Sequence, residues 1–292
     1  MKKVVILTFI LIGLFSFNSY SQDDANKAID LYNQVVQAVQ SEDYASAITK
    51  ATEAYTIVKA IPEGTEEVKA NLEKIIPQLY LGKAKKSLEE SKFDEALTEF
   101  AKAAEEAKKF NNAEIEQDAV DNVPRVYLAQ ADKLYSSDDF EGAVTAFDKV
   151  LAIDSTNAQV YLIKGASLLK LGKSEEAIAV FEKTIEVANA TEKTSIANNA
   201  TTQIVNIYTR AASEAQKAKK WADVVANAEK ALSYNPEKTT QLLQLVDLGN
   251  LQQGAALATS NKTKACQFLK KVKNDAKLKE TAAQLLKSVG CN

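Results

Sequence analysis

The most distinctive chemistry in this 292-residue chain belongs to two thiols, Cys266 and Cys291, both within its last 27 residues. A pair of cysteines can oxidise to a cystine, act singly as nucleophiles or bind a soft metal, and their neighbours decide which. There is no histidine anywhere in the chain. That removes the commonest general base and metal ligand, and with it the Ser/His/Asp and Cys/His arrangements of nucleophilic catalysis. No metal-binding spacing of ligating residues occurs, and the nine glycines are scattered rather than gathered into a phosphate-cradling loop. Carboxylate pairs stand at Glu66-Glu67, Glu105-Glu106 and Glu175-Glu176 with lysines nearby. They read as solvated helix surface rather than acid-base machinery. The expectation is a non-enzyme with no catalytic residue, cofactor or metal, whose work is done by surfaces.

The elements that position such surfaces are helices. Ala, Lys, Glu, Leu and Gln dominate, against nine Gly and four Pro, so propensity is high and breakers are few. A small residue recurs at Ala47, Ala96, Ala143, Ala177, Val224 and Cys266, at intervals of 49, 47, 34, 47 and 42 residues. Each marks the start of the second helix in one of six hairpins. Residues 124–157 show the pattern best. Tyr127, Leu128, Ala131, Leu134 and Tyr135 give a first apolar stripe at helical spacing, Ser136-Ser137-Asp138-Asp139 turns the chain, and Phe140, Ala143, Val144, Phe147, Val150 and Leu151 give a second.

Equivalent places recur in the other copies. Twelve residues before each marker comes a residue suited to a close helix crossing: Val35, Ala84, Ala131, Gly165, Ala212 and Gly254. Four residues earlier stand Leu31, Tyr80, Tyr127, Tyr161, Tyr208 and Asn250, mostly large rings able to fill the space between hairpins. The segments "DDFEGAVTAFDKVLAIDSTN", "SKFDEALTEFAKAAEEA", "GKSEEAIAVFEKTIEVA" and "KKWADVVANAEKALSYNP" carry these places. In them the chain resembles the tetratricopeptide repeat family over roughly residues 28–280. The resemblance implies an all-α, right-handed α-solenoid of about six hairpins, with repeats near residues 28–61, 77–110, 124–157, 158–191, 205–238 and 247–274. It also implies a concave face, lined by the first helices, on which a partner protein or peptide lies.

Several intervals exceed the 34-residue period, and the inserted sequence is itself helix-like, so lengthened helices are expected rather than long loops. Residues 65–90 and 112–136 read as long first helices, which Pro77 and Pro124 would kink or restart. Residues 275–292 read as a capping helix and tail, with Leu278, Ala282, Leu285, Leu286 and Val289 on one side. Cys266, near the start of the last second helix, and Cys291, after the antiparallel cap, then fall toward the same end of that hairpin. A disulfide pinning the cap is one reading. The other is two free thiols, with Cys266 as a small packed side chain.

Residues 262–292 carry eight Lys against two acids, while residues 22–261 carry a balance of −11. A basic C-terminal module suits either a solvated lysine-rich face or peripheral contact with anionic lipid or an acidic partner. An exported, mildly acidic chain points away from nucleic acid. Export is read from Lys2-Lys3, an apolar run over residues 4–15 and a polar stretch with small residues, which read as a signal peptide over residues 1–21 with cleavage after Ser21, the alternative being an uncleaved N-terminal anchor. The Ser-Tyr-Ser-Gln region resembles signals of the Bacteroidetes group, and the periplasm is the expected compartment, with secretion or the cell surface as alternatives. Asp154-Ser155-Thr156 resembles an O-glycosylation acceptor of envelope bacteria, although helix termination accounts for the same residues.

The resemblance places Tyr32, Val36, Leu81, Lys85, Arg125, Leu128, Asp132, Leu162 and Thr209 on the concave face, together with Gln159, Asn206 and Leu251. The Lys and Asn of the family's carboxylate clamp are missing from those places, so that function does not carry over. One Leu or Tyr per copy there suits an apolar partner segment, unless lengthened helices cover the face and bury it. The expected function is an exported protein-interaction scaffold or adaptor with an unidentified partner. The alternative is a self-associating structural component of the envelope.

Overall fold

The computed structural model describes residues 19–61, 63–234 and 239–291. Among these residues there are thirteen α-helices and no strand. In order they are α1 (Ser19–Gln40), α2 (Tyr44–Ala60), α3 (Glu66–Glu89), α4 (Phe93–Lys109), α5 (Ala113–Ser136), α6 (Phe140–Ile153) and α7 (Ala158–Lys170). They continue with α8 (Ser174–Ala190), α9 (Thr194–Lys217), α10 (Trp221–Tyr234), α11 (Thr239–Leu257), α12 (Lys262–Leu269) and α13 (Ala276–Val289). The expected leader lies outside the described residues except where α1 begins at Ser19, and the end of the fifth repeat, residues 235–238, lies outside them too. No described helix is long and apolar enough to cross a membrane.

The chain forms two compact units: residues up to 138 with 148–153, and residues 139–147 with those from 154 onward. In the first unit each of α1, α2, α3 and α4 packs on its successor, and α1 also meets α3, and α3 meets α5. The second unit repeats the scheme: α7 to α13 pack in succession, with α7 against α9, α9 against α11 and α11 against α13. Contact with the next helix and the next but one is the signature of stacked hairpins, so each unit is a helical repeat array.

One loop geometry joins most of these helices. The connections 41–43, 90–92, 110–112, 137–139, 171–173, 191–193 and 218–220 each hold three residues. The middle one is left-handed in every case: Glu42, Ser91, Asn111, Asp138, Gly172, Glu192 and Lys219, with φ between 55° and 75°. The third residues Asp43, Lys92, Asn112, Lys173, Lys193 and Lys220 donate their backbone N–H back across the turn, as from Asp43 to Ala38 at 2.9 Å, Lys92 to Ser87 at 2.8 Å and Lys193 to Ala188 at 2.7 Å. That bond satisfies an orphan carbonyl at the helix end, as in a Schellman closure. The same residue then starts the next helix. Asp43 and Asn112 do so with side-chain caps, accepting from Ser46 N–H at 3.1 Å and Ile115 N–H at 3.2 Å. Lys92, Lys173 and Lys193 provide no such cap.

The small-residue markers fall where the second helices begin their hydrogen-bond ladders. Ala47, Ala96, Ala143, Ala177 and Val224 are fully buried, and each donates its N–H to the residue four before it. In the sixth hairpin that place belongs to Ala265, which is buried and donates to Asn261 at 2.9 Å; Cys266, the sequence marker, is one residue out of register and half-buried. The connection there, residues 258–261, contains no left-handed residue, so the spacing set by the other loops does not hold. Phe100, Phe147 and Phe181 fill the core beneath the markers.

Helices α3 and α5 run unbroken through Pro77 and Pro124, so neither proline restarts a helix. Each costs one ladder bond and is carried by packing on both sides: Leu72, Ile75, Ile76 and Leu79 are buried around Pro77, and Asn122 and Val126 around Pro124. The added turns of α3 bring Val68, Leu72 and Ile75 into the core of the first hairpin. That packing decides the fate of several expected binding residues.

Candidate functional site

A cleft of about 370 Å³ opens in the first unit among α1, α2, α3 and the start of α5. Its apolar lining comes from Val39, Tyr44, Ile75, Leu79, Leu81 and Ile115, and its polar rim from Gln78, Lys85, Asn112, Glu114 and Asp118. Gly82 shapes one wall: a Cβ there would stand 2.4 Å from Tyr44 Cε1, so the ring rests directly on the α3 backbone. Burial, then the charges of Glu42 and Glu89, raise the Tyr44 phenol above its ordinary range and keep it neutral. Across the rim, Lys85 Nζ lies 2.8 Å from Asp118 Oδ2 and ties α3 to α5. Both side chains are more than 40% exposed, so this bridge contributes under about 1 kcal/mol and a charged partner can exchange for either end.

The sequence-derived binding residues separate into three groups. Leu81 and Lys85 are brought together in this cleft, Leu81 on its floor at 6% exposure and Lys85 on its rim. Tyr32 and Val36, at 2% and 1% exposure, belong to the core of the first hairpin with Val35, Ala51, Leu72 and Ile75, and are not open to a partner. Burial, followed by the charge of Glu67 on the first turn of α3, raises the Tyr32 phenol. The lengthening of α3 therefore covers α1 at this place. Leu251 is likewise buried, beneath α13.

The remaining positions keep some surface. Arg125 is exposed and donates from Nη1 to Asn122 Oδ1 at 3.4 Å, while Leu128 is half-buried. Asp132 reaches the surface, yet desolvation by the protein around it raises its carboxyl above the usual range. In the second unit Leu162 is half-buried against Leu168, Ala177 and Phe181. The Thr209 hydroxyl is spent on its own helix, donating to Val205 at 2.7 Å, and Gln159 and Asn206 are exposed. Sequence reasoning missed Val39, Tyr44, Ile75, Leu79, Ile115 and Asp118 as cleft residues. Three of them, Ile75, Ile115 and Asp118, lie in the extra turns of α3 and α5, for which the resemblance offers no template.

At the end of the second unit Cys266 and Cys291 are joined by a disulfide with Cα atoms 5.7 Å apart. A second tie was not legible in the sequence. Asp247, fully buried on α11, accepts through Oδ2 from the N–H groups of Asn274 at 2.6 Å and Asp275 at 2.7 Å. Its Oδ1 accepts from Lys273 N–H at 3.3 Å and Asn274 Nδ2 at 3.0 Å. Four donors around one buried carboxylate satisfy its lone pairs and fix the connection from α12 to α13. Asp275 then caps α13, accepting from the N–H groups of Lys277 and Leu278 at 3.0 Å each. Among the described residues no cluster of acidic or thiol side chains is placed to hold a metal ion.

No protein-family model matches the chain, and no curated protein does. Among solved structures, the C-terminal part of a TPR repeat-containing protein from Cytophaga hutchinsonii is 16% identical, covers 87% of this chain and 99% of its own, and has a TM-score of 0.30. A tetratricopeptide repeat protein from Parabacteroides merdae is 14% identical, with coverages of 91% and 99% and a TM-score of 0.25. The TPR domain of P58(IPK) is 15% identical, covers 92% of this chain and all of its own, and also has a TM-score of 0.25. At these identities and scores nothing about partners transfers. On its own geometry of paired helices, recurrent three-residue loops and buried small residues at the starts of the second helices, the chain is an all-α helical-repeat protein.

Proposed function

We propose that this protein is an exported interaction scaffold that captures a partner protein or peptide in the α1–α3–α5 cleft of its first unit. The observation that carries the reading is a concavity with an apolar floor and an exchangeable Lys85–Asp118 ion pair at its mouth. A short apolar segment flanked by charge has complementary chemistry, and binding of that kind needs no chemical step. Arg125, Leu128 and Asp132 on α5, and separately Leu162 and Thr209, are secondary contact positions. The apolar run at residues 4–15 supports export, with the periplasm as the compartment.

The test is affinity capture from the native envelope with the unaltered chain and with the pair Lys85→Glu and Ile115→Asp. Both side chains are at least partly exposed, so the fold should tolerate the change. Loss of a specific captured protein with an unchanged melting temperature supports the cleft. An identical captured set, with the variant folded, overturns it.

A further inference from the structure

The two ends of the ion pair at the mouth of the first-unit cleft are held very differently. Asp118 is fixed from its own helix: its Oδ1 accepts from Asn122 Nδ2 at 2.8 Å, one turn further along α5, while its Oδ2 accepts from Lys85 at 2.8 Å. Asn122 is itself pinned. It is 5% exposed, its Nδ2 also donates to the Asp118 carbonyl at 2.7 Å, and its Oδ1 accepts from Arg125 Nη1 at 3.4 Å. The carboxylate therefore keeps its place when Lys85 departs. Lys85 has no comparable support, since among the described residues it makes no hydrogen bond other than that to Asp118, and its side chain is 45% exposed. The lysine is the end that can leave, because its ammonium gives up one bond and regains water.

The charges around the cleft have the same sense. Glu114 joins Asp118 in the lining, and the carboxylates of Glu42 and Glu89 act on the Tyr44 phenol. Against these acids stand Lys85 and Lys86, the latter donating to the Glu42 carbonyl at 3.0 Å. Departure of Lys85 leaves a negative mouth over an apolar floor in which Ile75, Leu79 and Leu81 are buried. A volume of about 370 Å³ gives room for side chains rather than for a helix.

We propose, on the reading that this cleft is the partner site, that the segment it takes is cationic. An apolar side chain seats on Ile75, Leu79, Leu81 and Ile115, and an arginine or lysine beside it takes the place of Lys85 on Asp118. An acidic segment would have to turn Asp118 away from Asn122 and would also face Glu114.

Selection from a phage-displayed library of random dodecapeptides on the immobilised full chain, with counter-selection on the Ile115→Asp chain, tests the proposal. Peptides that depend on the cleft should carry a leucine, isoleucine, valine or phenylalanine with an arginine or lysine within a few positions. In anisotropy titrations of the most enriched peptide, Lys85→Gln should tighten binding about two- to fivefold and Asp118→Asn should weaken it by a similar factor. Affinity should fall as salt is raised. Both side chains are more than 40% exposed, so neither change should move the melting temperature. Should Ile115→Asp not fold, the two charge variants still decide the sign. Acidic or uncharged peptides as the cleft-dependent class, or an absent or opposite response to the charge variants, overturn the cationic assignment and leave the cleft standing as a partner site. A library that yields no cleft-dependent peptide also overturns it. The capture experiment then judges the cleft by itself, because Ile115→Asp removes the apolar seat whatever charge lies beside it.

Discussion

The ring of Phe181 lies against the bare Cα of Gly165: a Cβ on Gly165 would stand 2.5 Å from Phe181 Cε1 and 2.8 Å from Cδ1. Phe181 is fully buried, so its ring has no free space to enter, and the crossing of α7 and α8 depends on the missing methyl. Gly165→Ala should destabilise the protein by about 1–3 kcal/mol despite its better helix propensity. In a double-mutant cycle with Phe181→Leu, urea denaturation should show part of the loss recovered, because the smaller side chain vacates the contested volume. Additive losses would mean that the two residues do not contend for the same space.

The left-handed loop residues are mostly the wrong type for their backbone. Glu42, Glu192 and Lys219 hold φ near 56°, where a side chain costs about 1 kcal/mol and glycine nothing. Glu192→Gly and Lys219→Gly should therefore each stabilise by up to about 1 kcal/mol, offset in part by the entropy of glycine in the unfolded chain. Gly172→Ala should do the reverse: no atom lies within 4 Å of the new methyl, so its whole penalty is backbone strain. Thermal denaturation of the three variants checks the signs.

Asp247 carries the connection to the last helix on one carboxylate. Asp247→Ala leaves the N–H groups of Lys273, Asn274 and Asp275 without their acceptor and should cost at least about 2 kcal/mol. Hydrogen exchange should localise the damage: the amides of Asn274, Asp275 and α13 should lose protection. Unchanged exchange there would remove the anchoring role.

Reduction of the Cys266–Cys291 disulfide should also loosen α13, which buries only Ala282 and half-buries Leu278, Leu285 and Leu286. For a closed loop of this length the chain-entropy model gives about 3 kcal/mol. The checks are a lower melting temperature under reducing conditions and a matching drop for the Cys266→Ser, Cys291→Ser chain. Free thiols in chain produced under oxidising conditions would contradict the bond itself.

Two phenols make stability fall in strong base. The Tyr55 phenol is pushed up to about 12 by burial and by its bond to Glu73 Oε1 at 3.1 Å. The Tyr234 phenol is also pushed up to about 12, first by its bond to Glu182 and then by burial. The unfolded phenol ionises near 10, so the stabilisation is complete below that pH and is lost as pH rises from 10 toward 12. Ultraviolet titration should find both phenols among the late-ionising tyrosines, and Tyr55→Phe with Tyr234→Phe should flatten the decline in melting temperature.

Helices were legible in the sequence wherever a feature is local and repeated. The period set the helix pairs, and the residue type set the small crossings, because both depend on neighbours a few positions away. The fate of Tyr32 and Val36 was not legible, because their burial depends on how far α3 extends over α1, which no pattern within α1 records. Cys266 was read one position out because the spacing assumed a loop that residues 258–261 do not form. Nothing in the sequence singles out Asp247. Its donors lie 26 to 28 residues further on, and nothing near it announces them. Of the cleft, Leu81 and Lys85 were found through the resemblance, whereas Tyr44 and Asp118 needed coordinates.

Because the same short joint closes helices of 13 and of 24 residues, rod length is uncoupled from corner geometry. The 24-residue helices exceed the 13-residue α7 by 11 residues, about three full turns, which returns a side chain to nearly the same azimuth. Such a chain can gain or shed reach in whole-turn increments during evolution while every corner stays as it was, and new lining such as Ile75 and Asp118 arrives with the added length.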